Sequence, residues 1–99
     1  MTQTTQIRIY DVRPDRLDDW IDKFHNLVVP LRRELGFEIE GSWVDRDHSQ
    51  HIWVISYCGE KSFEEANDAY WASPKRAEIG VDPADYLIGE ESKTVYRVL

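Results

Sequence analysis

Between Asp15 and Leu35 apolar residues recur at steps of three and four: Leu17, Trp20, Ile21, Phe24, Leu27, Val28, Leu31 and Leu35. That spacing gathers them on one side of a 3.6-residue helix. Burying each contributes roughly 1.5–3 kcal/mol. Ordering the backbone costs about 1–2 kcal/mol per residue, so the helix needs a surface to lie on. Asp15 is placed to cap it, Asp18 and Asp19 suit the positive end of its dipole, and Gly36 supplies a left-handed exit. Pro30 lies inside the pattern, where it removes a backbone hydrogen bond and meets the carbonyl of Asn26; a kink is expected there.

The flanking segments switch to a period of two. Ile7–Val12 is a β-branched run ended by Arg13-Pro14. Phe37–Asp45 alternates, with Phe37, Ile39, Gly41 and Trp43 on one side, as in a half-buried edge strand. In His51–Cys58 both sides are apolar or aromatic (Trp53, Ile55 and Tyr57 against Ile52, Val54 and Cys58), which belongs in the middle of a sheet. Ser62-x-x-Glu65 is a capping box opening a second helix that stops at Ser73 before Pro74, and Lys75–Gly80 adds a helical turn. Val81–Glu91 reads as irregular, punctuated by Pro83 and Gly89, and Lys93–Leu99 as the last strand.

The order is strand, helix, strand, strand, helix, strand. The predicted fold is α+β, a ferredoxin-like βαββαβ arrangement with a four-stranded antiparallel sheet, both helices on one face and one domain over residues 1–99. Residues 1–5 are expected to be flexible. The other face would be bare, yet the central strand is apolar in both directions, and Tyr10, Val12, Tyr96 and Val98 add apolar surface. An exposed patch of that size marks an interface. Two sheets face to face would hide it and could curl into an eight-stranded barrel, so a homodimer is expected.

Composition narrows the function. A chain of 99 residues that is 41% hydrophobic and 31% charged is globular, not disordered. A net charge of −7 argues against nucleic acid, whose binding is driven largely by Lys and Arg. Arg32-Arg33 and Lys75-Arg76 read as solvated helix faces. No apolar run reaches the length of a membrane span and the opening residues are polar, so no membrane partner and a cytoplasmic location are expected. Cys58 is the single cysteine, which excludes an internal disulfide, and reads as a buried structural thiol.

His25 falls at the edge of the apolar helix face beside Ile21 and Val28, where it can point into the gap between helix and sheet and act as general acid or base; the alternative is a boundary histidine half in solvent. The four tryptophans, Trp20, Trp43, Trp53 and Trp71, could line a pocket for a flat hydrophobic ligand, or be core and interface packing. Arg8 and Tyr10 share one side of a central strand. Arg8 therefore either pairs with Glu38 or Glu40 or binds an anionic ligand. Asp45, Asp47, His48 and His51 have the composition of a metal site but not its spacing, and read as a solvated turn. Neither a phosphate loop nor a nucleophile elbow is present, so no metal and no cofactor are expected. The candidate catalytic residue is His25, and the candidate ligand pocket is Arg8, Tyr10, Trp43, Trp53, Tyr57 and Trp71.

From Gln6 to Val98 the chain resembles the NIPSNAP family of the dimeric α+β barrel superfamily. The likeness rests on Ile7-Arg8-Ile9-Tyr10 with Pro14 beyond it, Pro30-Leu31, Gly36-Phe37, Gly41-Ser42-Trp43, Tyr57, Tyr70-Trp71-Ala72-Ser73-Pro74 and Glu91-Ser92. Asp15 stands where many members have glycine, and Ala66-Asn67 where an arginine is common. The resemblance implies a dimeric barrel with a pocket between the sheet and the helices of each subunit. Related barrels include cofactor-free antibiotic-biosynthesis monooxygenases, haem-degrading enzymes and small isomerases or cyclases. Two functions remain open: a homodimer binding a small hydrophobic ligand, or a cofactor-independent monooxygenase or isomerase/cyclase acting on an aromatic or polycyclic carbonyl compound through His25.

Overall fold

In the computed structural model, which describes residues 3–99, four antiparallel strands form one sheet in the order β2-β3-β1-β4. The strands are β1 (Thr4–Val12), β2 (Phe37–Asp45), β3 (Gln50–Tyr57) and β4 (Leu87–Val95). The flexibility expected for residues 1–5 falls partly outside the described residues; Thr4 and Thr5 are paired with Tyr57 and Ser56. β2 is an edge strand and β3 is internal, as their patterns require.

After a 3-10 turn at Pro14–Arg16, α1 (Leu17–Lys23), a π turn (Phe24–Val28) and α2 (Val29–Glu34) run end to end. Asp15 lies inside the 3-10 turn and makes no cap. In place of a simple proline kink, the amide of Val29 bonds to the carbonyl of Phe24, five residues back. The widened turn lets Pro30 enter at the start of α2, where its missing N–H leaves no bond unmade. The extra residue turns everything beyond it by roughly 100° relative to an unbroken helix. Leu27 is therefore exposed, while Val29 and Arg32 are buried. Gly36 makes the left-handed exit at φ +96°.

A second one-residue insertion breaks the alternation of β2. Ile39 pairs with Ile55 but Gly41 pairs with Val54, so Glu40 bulges from the ladder. A one-residue slip exchanges the faces of the strand. Phe37 and Ile39 are buried under the helices, but beyond the bulge Ser42 takes the inner side and Trp43 swings outward, its indole lying over Gly41 and 56% exposed.

α3 (Phe63–Ala72) begins at the capping box, with the Ser62 hydroxyl accepting from the Glu65 amide and Glu65 accepting from the Ser62 amide. It ends before Pro74, which opens α4 (Pro74–Glu78). The last strand starts six residues earlier than its pattern suggests. Gly89 is within it, next to a bulge at which Val12 pairs with Leu87. Its polar run Glu90–Thr94 carries no strand signal of its own and is held by the ladder to β1.

The core lies between this sheet and the helices: Tyr10, Val12, Phe37, Ile39, Trp53 and Ile55 from the strands against Leu17, Trp20, Phe24, Val28, Leu31, Phe63 and Tyr70. Tyr10 and Val12 thus belong to the covered face. Ile7, Ile9, Ile52 and Val54, in the opposite phase, are half-buried on the open face. Cys58 lies just past β3 and is exposed, not buried. Among the described residues no helix is long and apolar enough to cross a membrane.

Candidate functional site

Two polar clusters sit beneath the α1–α2 helix, joined by His51 and Trp53, neighbours on one face of β3 whose rings stack with centroids 6.3 Å apart. The first begins at Trp20 on α1. Its indole N–H donates to His51 Nδ1 at 3.0 Å, and since an indole nitrogen only donates, Nδ1 must be the acceptor. The His51 proton is then on Nε2, which meets the Ser42 hydroxyl at 2.7 Å; Ser42 in turn meets His25 Nε2 at 3.0 Å. Burial, and secondly the neighbouring His25, pushes His51 down from its ordinary 6.5 to about 3, so the imidazole is neutral at physiological pH. His51 is therefore no part of a solvated turn. It is fully buried in phase with Trp53 and Ile55, and the period of two could have placed it there. Asp45 and His48 do remain on the exposed turn, paired at 2.8 Å. His25 is exposed and is hydrogen-bonded to the core through Ser42.

The second cluster surrounds a small cavity of about 20 Å³, bordered by Tyr10, Trp20, Phe24, Val28, Arg32, Trp53, Tyr70, Trp71, Arg76 and Pro83. Of the expected pocket residues, Tyr10, Trp53 and Trp71 come together here. Trp43 does not, because the β2 bulge turns it to the other face. Tyr57 packs on Phe37 at 5.2 Å, away from the cavity. Arg8 lies over the Trp53 ring, 5.3 Å from its centroid, but does not border this cavity; it lines a separate open groove of about 490 Å³ with Phe63 and Asn67. It pairs with neither Glu38 nor Glu40 among the described residues; its guanidinium meets Gln6 at 3.1 and 3.3 Å.

Arg32 and Arg76 were expected in solvent. Both are buried, one brought inward by the π turn and the other by the helix that Pro74 opens. The Arg32 guanidinium lies 3.6 Å from the Tyr70 ring centroid and 4.8 Å from that of Phe37; that of Arg76 lies 4.4 Å from the centroid of Trp71. Burial lowers Arg32 to about 10, so it stays charged at neutral pH, and it raises the Tyr70 phenol against the pull of the two arginines. Five buried side-chain polar atoms have no hydrogen-bond partner among the described residues: Arg32 Nε, Arg76 Nε, Trp53 Nε1, Tyr70 OH and Ser56 Oγ. Four of the five belong to residues bordering this one cavity. Among the described residues no three His, Cys, Asp or Glu side chains are grouped to hold a metal.

No protein-family model and no curated protein matches the sequence. Solved structures do match. The chain is similar to an uncharacterized NIPSNAP domain protein from Burkholderia xenovorans, with TM-score 0.80, 11% identity and 96% and 94% of the two chains covered. It is similar to a NIPSNAP-like domain protein from the same organism, with TM-score 0.80, 18% identity and 97% and 85% covered. A candidate antibiotic biosynthesis monooxygenase from Bacteroides thetaiotaomicron superposes at TM-score 0.73, with 14% identity and 99% and 91% covered. At these identities the likeness is one of fold, and the chain has the α+β fold of the NIPSNAP-domain proteins.

Proposed function

We propose that this chain is a homodimer that binds a small hydrophobic ligand between the helices and the sheet of each subunit. One observation carries the reading: Trp53, Tyr70, Arg32 and Arg76 atoms that have no hydrogen-bond partner among the described residues gather around one aromatic cavity. Buried polar atoms without partners are rare in native proteins, and each costs about 1–3 kcal/mol. Four at one place point to a partner that arrives from outside. The cavity as it stands holds about one water. Trp71 forms part of its wall and is 47% exposed, one residue from the end of α3, so its indole can swing out and leave a slot of aromatic size.

The open face supports dimerisation. Ile7, Ile9, Ile52 and Val54, with the exposed Trp43, form an apolar surface that a second sheet would cover. Native mass spectrometry of the untagged protein tests both parts at once. A dimer carrying one extra small-molecule mass per subunit is expected. A monomer would remove the dimer, and a dimer that stays bare in the presence of flat aromatic compounds would remove the site.

A second reading has one observation in its favour. Ser42 holds Nε2 of the exposed His25 and links it to the core through His51. His25 would then act as acid or base in a cofactor-independent monooxygenase, or an isomerase or cyclase, working on an aromatic or polycyclic carbonyl compound. His25→Ala should abolish such turnover with dimer and fold intact; undiminished turnover eliminates this assignment.

A further inference from the structure

Resting on the ligand-binding reading above, we infer that the ligand is an aromatic carboxylate, its ring in the slot now filled by Trp71 and its carboxylate on Arg32 and Arg76. Among the described residues neither arginine has an acidic partner, although the chain carries 19 Asp and Glu against 12 Lys and Arg. Arg32 is 2% exposed and Arg76 6%. Buried charges are normally paired, yet this pocket holds two positive charges with no counter-charge among the described residues. Arg32 Nη1 donates to the neutral amide oxygen of Asn67 at 2.8 Å.

The chemistry of the free atoms sets the ligand's polarity. Arg32 Nε, Arg76 Nε and Trp53 Nε1 can only donate, and the Tyr70 hydroxyl can also donate. A lining made of donors needs an acceptor-only group, and a carboxylate offers two oxygens that match the planar guanidinium fork. Its body is set by Trp71, whose ring now stacks on Arg76 at 4.4 Å. A flat aromatic ring can take that place over the same guanidinium. An isolated tetrahedral anion would satisfy the donors but leave the slot empty.

The test is isothermal titration of the intact protein with 2-naphthoate, with the neutral isostere 2-naphthalenemethanol and with inorganic phosphate. The wild type should bind 2-naphthoate at least tenfold more tightly than either other probe. Arg76→Met, which keeps an apolar stem but removes the guanidinium under the ring, should weaken both probes and weaken naphthoate at least tenfold more than the alcohol, which loses only the stacking contact. A thermal scan of the same variant confirms that it is folded, and Tyr70→Phe should weaken naphthoate alone by a smaller factor. Equal binding of naphthoate and alcohol, or a naphthoate affinity untouched in Arg76→Met, overturns the charge assignment and leaves the hydrophobic site standing. Phosphate binding as tightly as naphthoate overturns the aromatic part. If neither naphthalene compound binds, the ligand-binding reading falls with it.

Discussion

The two polar clusters under the long helix both reach into the core, the first running out to solvent at His25 and the second wholly interior, and they differ in completeness. In the Trp20–His51–Ser42–His25 chain, each interior donor meets an acceptor, ending at an exposed imidazole. In the Arg32–Arg76–Trp53–Tyr70 cluster, four interior atoms have no hydrogen-bond partner among the described residues. A satisfied buried network rigidifies the core around it, whereas a half-satisfied one is costly to keep. On the proposed reading the two clusters divide the work within one layer: the first holds the fold, and the second keeps its donors for a ligand.

The contrast can be broken from the complete side first. His51→Ala should cost about 3–5 kcal/mol, because it opens a cavity among Trp20, Phe24 and Trp53 and strands the Trp20 N–H. Urea unfolding at pH 7 measures it; a loss below about 1 kcal/mol would mean that the chain is not structural. Ser42→Ala should cost about 1–3 kcal/mol by leaving the His51 Nε2–H unpaired in the interior.

Acid sharpens the same point. Unfolded His51 takes up a proton near its ordinary 6.5, but in the fold it stays neutral to about 3. Between those values the unfolded chain binds more protons, so stability rises with pH. This contribution is complete above about 6.5 and is lost as pH falls toward 3, at up to about 1.4 kcal/mol per pH unit. Denaturant titrations from pH 7 to pH 4 should show that slope, and His51→Gln should lack it. The smallest effect is expected on the incomplete side, and with the opposite sign. Arg76→Met removes a buried charge without a counter-charge and should stabilise the free protein by about 0.5–2 kcal/mol. A loss of more than about 1 kcal/mol would show that Arg76 already has its partner in the fold.

The neighbouring patterns were not equally legible. The capping box at Ser62, the stop before Pro74 and the two-sided apolar strand around Trp53 each carry their cause within a few residues, so they could be read directly. β4 could not: Glu90–Thr94 lacks β-branched alternation and becomes a strand because β1 offers it a ladder. Arg32 was misplaced for a different reason, since its helical phase was counted across a turn that contains one residue more than the count assumes.

Sequence alone determined the order of elements, the sheet's internal and edge strands, and the face of the long helix up to Phe24. Periodicity is a local property, and those segments keep their period. Tertiary structure decided what lies beyond the two insertions, the π turn at Phe24–Val28 and the bulge at Glu40. A single added residue exchanges the faces of a strand and turns a helix by roughly 100°. Those two shifts brought Arg32 and Ser42 inward and sent Leu27 and Trp43 out. Both clusters depend on them, because packing between helix and sheet, not the local pattern, selects where an extra residue is absorbed.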